Sequence, residues 1–295
     1  MNYSLRELEC FVAVAEELSF TRAAERLHLA QPPLSRHVRT LEEKIGTPLF
    51  TRSSRRVALT PTGALFYEET ASVLGRLRQA GETAKRSAAG QTERLRIGFV
   101  SAVVSPDLVG VLKLFRERHP AVQLTVEDAA PAEQLAALVQ GRLDGGFIGL
   151  RPTEATPGVL YTPWNREPLV CLVPSGHPLA SRPAVVLREL AREGFLAVSS
   201  RTAPAFADHV RALCRKAGFR PRIILESPRA QAVAVMVAAG AGVALLPASL
   251  SRVVGTAAVA LPLSGAPGLT HVFARPAATS APAMVAFLRC LAANK

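Results

Sequence analysis

Residues 19–63 read SFTRAAERLHLAQPPLSRHVRTLEEKIGTPLFTRSSRRVALTPTG, and this stretch decides the architecture of the N-terminal part of the chain. Ser19 stands where one helix stops and the next begins, because its hydroxyl accepts a hydrogen bond from a free first-turn N–H. The helix it opens holds Ala23, Ala24 and Leu27. Another helix starts near Gln31 with Pro32 and Pro33 in its first turn, where a missing N–H costs little. Leu34, Val38, Leu41 and Ile45 form its apolar stripe, and Gly46 ends it. LFTRSSRRVALT follows, with apolar ends around a polar, basic tip, the pattern of a small β-hairpin. Thr60-Pro61 then supplies an N-cap and a first-turn proline for the next helix.

Upstream, Ser4 and Glu7 make an S-x-x-E capping box, and Leu5, Leu8, Phe11, Val12, Ala15 and Leu18 fall on one helical face. Downstream, the helix opened by Thr60 runs to about Ala88. Along it Phe66, Thr70, Val73, Leu77, Ala80 and Ala84 alternate by four and three residues, a heptad-like seam. A long helix between two domains has little to pack on, so the seam is expected to pair with a second copy of the chain.

Beyond Gly90 strands alternate with helices. Leu95, Ile97 and Phe99 make a strand; Ser105-Pro106 opens a helix with Leu108, Val111, Leu112 and Phe115. Val122, Leu124 and Val126 make another strand, and Leu135, Leu138 and Val139 another helix. A second set begins near Glu167 with LVCLVP and FLAVS as strands, then helix Phe206–Ala217, strand RIILE, helix Ser227–Ala239 and strand VALLP. A last strand near His271–Ala274 and a last helix, Ala281–Ala292, are free to return to the first lobe. The alternation predicts an α/β domain with a largely parallel sheet.

Composition narrows the function. Hydrophobic residues make up 49% of the 295, enough for a substantial core. No uncharged apolar run approaches the roughly 18 residues of a membrane span. The opening MNYSLRELEC carries acids and lacks a signal-type apolar core, so the expected compartment is the cytoplasm, with no membrane partner. The net charge of +12 points to an anionic partner. Cys10, Cys171, Cys214 and Cys290 are scattered and form no C-x-x-C pair, which leaves no zinc motif. They read as reduced structural thiols; a redox pair of Cys171 with Cys214 would need a lowered pKa that nothing in the sequence supplies. An enzyme would need a motif, and there is no G-x-S-x-G, Walker A loop or H-E-x-x-H. The six histidines show no metal spacing, and Gly240-Ala241-Gly242 lies between a helix and a strand, the reverse order for a dinucleotide loop. No cofactor is expected.

The helix from Gln31 carries the chemistry. With its stripe inward, Pro32, Arg36, Arg39 and Thr40 point outward, and Ser35 lies at the edge. Arg pairs bidentately with guanine and Gln31 with adenine, so this face suits a major groove. Thr21 and Arg22, at the start of the preceding helix, suit phosphates. The hairpin tip, Arg52, Ser53, Ser54, Arg55 and Arg56, is a cationic wing for a minor groove. The rivals are an enzyme, an exported solute-binding protein and a ligand-independent architectural DNA protein.

SFTRAAERLHLAQPPLSRHVRTLEEKIGTPLFTRSSRRVALTPTG resembles the LysR-type transcriptional regulators. LRIGF, GRLDGGF, SGHPLA and GAGVALLPAS extend the likeness through the chain. The resemblance implies a winged helix-turn-helix over residues 1–60 and a linker helix over 61–90. It also implies a two-lobed, periplasmic-binding-protein-like α/β effector domain over 91–295, with lobes at 92–161 plus 268–295 and at 162–267. Its implied partners are promoter double-stranded DNA, a small-molecule effector and further copies of the chain in a homodimer or homotetramer; RNA polymerase is admitted as a protein partner. AQPPLSR looks like the branch that controls aromatic-compound breakdown and responds to muconate-like acids. In that branch a hydroxyl after the first lobe's opening strand holds a carboxylate. Ser101 matches it, with Ala102 beside it, while Ala130 stands where a second hydroxyl is usual. Thr202, after strand FLAVS, and Phe206, opening the next helix, complete the expected effector site, since ligands gather beyond the carboxyl ends of strands.

Overall fold

Ser4 opens the first helix: its Oγ accepts from the Glu7 N–H at 3.2 Å, and the Glu7 carboxylate accepts from the Ser4 N–H at 3.0 Å. The computed structural model describes residues 3–53, 56–88, 93–265, 268–278 and 281–294. The chain divides into two units, Met1–Ala89 with Val139–Gly141, and Gly90–Leu138 with Arg142–Lys295.

In the first unit, α1 (Leu5–Glu17), α2 (Phe20–Arg26) and α3 (Gln31–Ile45) are followed by a hairpin of β1 (Phe50–Ser53) and β2 (Arg56–Leu59), then by α4 (Pro61–Ala88). Ser19 caps α2 and Gly46 ends α3 at φ +82°. Cys10, Phe11, Val14, Leu34, Val38, Leu41 and Leu49 form the buried core. The expected stripe of α1 is broader than the sequence suggests. Leu5 and Leu18 stay about half exposed while Cys10, Ala13 and Val14 are buried, because α2, α3 and α4 all contact α1.

Two contacts tie the hairpin down. Glu42 Oε1 on α3 accepts from the N–H groups of Leu49 at 2.9 Å and Phe50 at 3.2 Å. Thr60 Oγ1 accepts from the Gly63 N–H at 2.9 Å and donates to the Pro48 carbonyl at 2.9 Å. Gly63 is required where α4 crosses the hairpin, since a Cβ there would stand 2.0 Å from the Leu49 carbonyl oxygen.

The linker seam needs correcting in its first half. Phe66 packs 5.3 Å from Phe11, Thr70 is buried, and Ala71 and Leu74 join the unit's own core. Val73 and Leu77 remain over half exposed, and Ala80 and Ala84 are exposed with them.

In the second unit the elements run β3 (Arg94–Phe99), α5 (Pro106–Arg118), β4 (Gln123–Asp128), α6 (Pro131–Val139), β5 (Gly145–Leu150), β6 (Val159–Pro174), β7 (Gly194–Val198), α7 (Pro204–Lys216), β8 (Arg222–Ser227), α8 (Ala230–Ala238), β9 (Ala244–Pro247), the single turn α9 (Ser251–Val254), β10 (Ala258–Pro262), β11 (Gly268–Pro276) and α10 (Pro282–Ala293). β3 pairs parallel with β4 and β5, as the alternation predicts. The sheets are nonetheless mixed: β11 is antiparallel to both β5 and β6, and β6 is antiparallel to β9 and β10. The cause is the double crossover. The chain leaves the first lobe along β6 and returns along β11 beside it, in the opposite direction.

The first-lobe ladder extends to Pro168, opposite Gly268, past the 161/162 boundary that the resemblance implies. From Leu169 onward β6 pairs with the second lobe. β4 is largely exposed, Val126 included, because it is an edge strand with one neighbour.

Phe115, Phe147, Phe273 and Phe287 centre the first lobe's core; Leu169, Phe195, Val243 and Leu245 help form the second's. Arg96 on β3 grips Asp144 ahead of β5, through its backbone N–H at 2.8 Å and its guanidinium at 3.1 and 2.9 Å. Gly240 and Gly242 shape the turn from α8 into β9, where Gly240 takes φ +86°.

Candidate nucleic-acid interface and effector cleft

α3 presents the face read from its sequence. Gln31, Pro32, Arg36 and Arg39 are exposed, and Ser35 is half-buried at the edge. The N-cap, Ala30, offers no side-chain hydrogen bond, and Pro32 and Pro33 have no N–H to offer a phosphate. Affinity at this face therefore falls to side chains. Neither Arg36 nor Arg39 meets a carboxylate among the described residues, whereas Arg6, Arg26 and Lys44 in the same unit are paired with Glu9, Glu16 and Glu7. Unpaired guanidiniums on one exposed helical face keep their donors for a partner outside the chain.

Thr21 and Arg22 are exposed at the start of α2. Arg22 is engaged, with Nε 3.4 Å from Glu17 Oε2 and its guanidinium donating to the Glu17 carbonyl. The sequence reading missed this pairing, which places the side chain against the end of α1. In the hairpin, Arg52 stands opposite Val57 in the ladder, and Arg55 lies outside the described residues.

The second unit holds a cleft of about 270 Å³ between the carboxyl ends of its strands. Ala102, Ala130 and Phe206 line it, as expected. Ser101 and Thr202 do not. The Ser101 hydroxyl donates to Asp128 Oδ2 at 2.6 Å, and the Thr202 hydroxyl reaches the carbonyls of Ser199 and Pro228, each at 3.2 Å. Both hydroxyls satisfy neighbouring loops, and the two donors expected for a carboxylate are absent from the wall.

The lining is apolar except for Arg229, Gln231 and His271. Arg229 already faces Asp128 at 3.5 Å and Glu133 at 3.7 Å. His271, on β11, is the wall residue that sequence reasoning missed. An isolated histidine carries no motif, and its partner Glu167 lies 104 positions away. Its Nε2 is 2.7 Å from Glu167 Oε1. Burial pushes the Glu167 carboxyl up, but hydrogen bonds from His271 and the Ser249 N–H outweigh it and hold the pKa below the usual value.

All four cysteines are free and buried. Burial pushes Cys171 up to about 12 and Cys214 up to about 11, which disfavours the thiolate that redox sensing requires. No described helix is long and apolar enough to cross a membrane, and no group of His, Cys, Asp and Glu among the described residues has the geometry to hold a metal.

A protein so built is a DNA-binding regulator that carries its own ligand-binding domain. Residues 5–64 match the family described as bacterial regulatory helix-turn-helix protein, lysR family, and residues 88–295 match the LysR substrate binding domain. The chain is 39% identical over 254 residues to the uncharacterized HTH-type transcriptional regulator YnfL of Escherichia coli K12, across 86% of this chain and 85% of that one. It is 37% identical over 251 residues to the HTH-type transcriptional regulator BenM of Acinetobacter baylyi, covering 84% and 82%. Among solved structures, full-length BenM superposes with a TM-score of 0.58 at 32% identity, over 98% of this chain and 96% of that one. Full-length CbnR complexed with its target DNA gives 0.58 at 25% identity, over 100% and 99%. The chain belongs to the LysR family of transcriptional regulators, and it is not an enzyme.

Proposed function

We propose that this regulator binds promoter DNA as a homodimer, or a homotetramer built from such dimers, and changes its hold on DNA when a small molecule fills the interlobe cleft. The observation that carries the reading is the α3 face, where Arg36 and Arg39 are exposed and meet no carboxylate among the described residues, while Arg6, Arg26 and Lys44 of the same unit are paired. Gln31, Pro32, Ser35, Arg36 and Arg39 meet base edges, and Thr21, Arg22, Arg52 and Arg55 hold phosphates and a flanking groove.

The exposed half of α4, with Val73, Leu77, Ala80 and Ala84, supplies the surface through which two copies pair, and pairing aligns two recognition helices with two half-sites. RNA polymerase is the protein such a regulator meets at a promoter, and the cytoplasm is where it does so. The domains are those of the sequence: residues 1–60 for DNA, 61–90 for pairing and 91–295 for the effector.

The supporting features of the effector site are its concave shape, its apolar lining and its place at the strand ends. Ala102, Ala130 and Phe206 touch the ligand; Ser101 and Thr202 shape the loops behind them.

Selection from a randomised duplex library, followed by footprinting of the winning sequence, tests the reading. A two-fold-symmetric site with two protected major-groove segments about one helical turn apart supports it. Enrichment of no sequence overturns it.

A further inference from the structure

His271 is 3% exposed, and its Nδ1 has no hydrogen-bond partner among the described residues. An orphaned polar atom in a buried ring is costly, and a partner removes that cost. The ring lines the cleft. Its other nitrogen is fixed: Glu167 is held as a carboxylate that only accepts, so Nε2 carries the hydrogen facing Oε1 at 2.7 Å. In the neutral ring Nδ1 is then a lone pair awaiting a donor. Gly149, also on the wall and at φ +80°, keeps the approach open, since a Cβ there would stand 4.0 Å from Nδ1. The donor side chains on the wall do not supply it: Arg229 faces Asp128 and Glu133, and neither it nor Gln231 donates to Nδ1.

We propose that His271 Nδ1 is a ligand-recognition atom, and that the effector is a compact apolar compound carrying a hydroxyl that donates to it. The cleft, about 270 Å³, has room for a small organic compound, and its lining, Phe206 included, suits an apolar body such as that of a hydroxylated monocyclic compound. The apolar wall takes the body of the ligand, and the hydroxyl meets Nδ1, a buried acceptor on that wall with no partner among the described residues. Glu167 acts as a positioning residue. It accepts from the Ser249 N–H at 3.0 Å as well as from His271, and so fixes the tautomer and the orientation of the imidazole. This inference rests on the reading of the cleft as the effector site.

The test uses the full-length protein and compares paired probes by calorimetry: 3- and 4-hydroxybenzoate against their methyl ethers and benzoate, and 4-cresol against 4-methylanisole. At least one hydroxylated probe is expected to bind roughly tenfold or more tightly than its partners lacking the donor, about 1.4 kcal/mol. His271→Leu should erase that ratio while leaving the benzoate or anisole affinity in place. Because His271→Leu leaves Glu167 unpaired in a buried site, the wild-type protein supplies a second readout. The Nδ1 resonance of His271 in a long-range ¹⁵N–¹H spectrum should shift with the hydroxylated probe and not with its ether.

A hydroxyl advantage that survives in His271→Leu, or an unmoved Nδ1 resonance with the hydroxylated probe bound, overturns the proposal, as does a panel in which nothing binds. Ala130→Trp separates the two readings. It fills the cleft and should abolish binding of every probe; binding that persists in it places the effector elsewhere and overturns the cleft reading itself.

Discussion

Lys44 Nζ lies 2.7 Å from Glu7 Oε1 and 2.9 Å from Oε2, so the last turn of α3 is clamped to the first turn of α1. The same carboxylate closes the capping box with Ser4, and it is buried while Lys44 remains about one-third exposed. The clamp holds the recognition helix to the core from the end opposite its DNA-facing turn.

Glu7 titration should register in the stability of the N-terminal unit. The Lys44 ammonium, helped by the Ser4 backbone and hydroxyl, holds the Glu7 carboxyl below its usual 4.5. A depressed folded pKa contributes stability that is present above the unfolded value and lost as the pH falls through the folded one. Resistance to urea from this group should therefore hold from neutral pH down to about 4.5 and fall as the pH drops below that. Glu7→Gln should lower stability by about 1–2 kcal/mol at pH 7, the range of a hydrogen bond to a charged group discounted for the exposed lysine, and should flatten that acid dependence. An unchanged acid profile in the variant would show that the clamp carries no weight.

Gly63 and Gly81 lie on the same helix and should respond in opposite senses to alanine. A Cβ on Gly63 collides with the Leu49 carbonyl oxygen at 2.0 Å, whereas nothing lies within 4 Å of one on Gly81. Gly63→Ala should destabilise the first unit by about 1–3 kcal/mol through overpacking. Gly81→Ala should stabilise α4 by about 0.8–1 kcal/mol through helix propensity alone. Thermal unfolding of both variants beside the parent checks the pair.

Leu77 should report on self-association. It is 52% exposed on α4, and Val73, one turn earlier, is 54% exposed. Leu77→Asp would place an unpaired charge in the pairing surface, where desolvation is costly. Sedimentation should show a shift toward monomer, and DNA affinity should fall with it. An unchanged sedimentation profile would assign the apolar face of α4 to another role.

Local chemistry made much of the fold legible. Ser4, Ser19 and Thr60 announce their helices, and Gly46 ends α3, because a cap needs only its own few neighbours. The alternation of Leu95 and Ile97 marked β3 because one face of that strand is buried. What escaped depends on partners far along the chain. The seam pattern of α4 could not say that Phe66 and Thr70 face Phe11's core while Leu77 faces outward. The run from Val159 to Pro168 carries no clear strand alternation, because Pro163, Asn165, Arg166, Glu167 and Pro168 interrupt it, yet β11 pairs with it along its length.

The candidate sites divide the same way. Arg36 and Arg39 were readable from helical spacing alone. Ser101 was placed correctly at the end of β3, but its hydroxyl's partner, Asp128, sits 27 residues on and takes it away from the cleft. His271 gave no signal, since its role comes from Glu167 and from the wall it shares with Gly149.

The central claim is that the exposed face of α3 reads DNA, and the affinity of Arg36→Ala for the selected duplex tests it most directly. Arg36 is exposed and meets no carboxylate among the described residues, so its whole donor fork is available to a base. Arg22→Ala is the comparison, because Arg22 is already paired with Glu17. In fluorescence-anisotropy titrations at fixed salt, Arg36→Ala should cost about 1–3 kcal/mol on the selected sequence and much less on a scrambled one. Arg22→Ala should weaken both by a similar, smaller amount, as a phosphate contact does. Equal affinity of Arg36→Ala and the parent for the selected duplex, with both proteins folded and equally associated, would contradict the account.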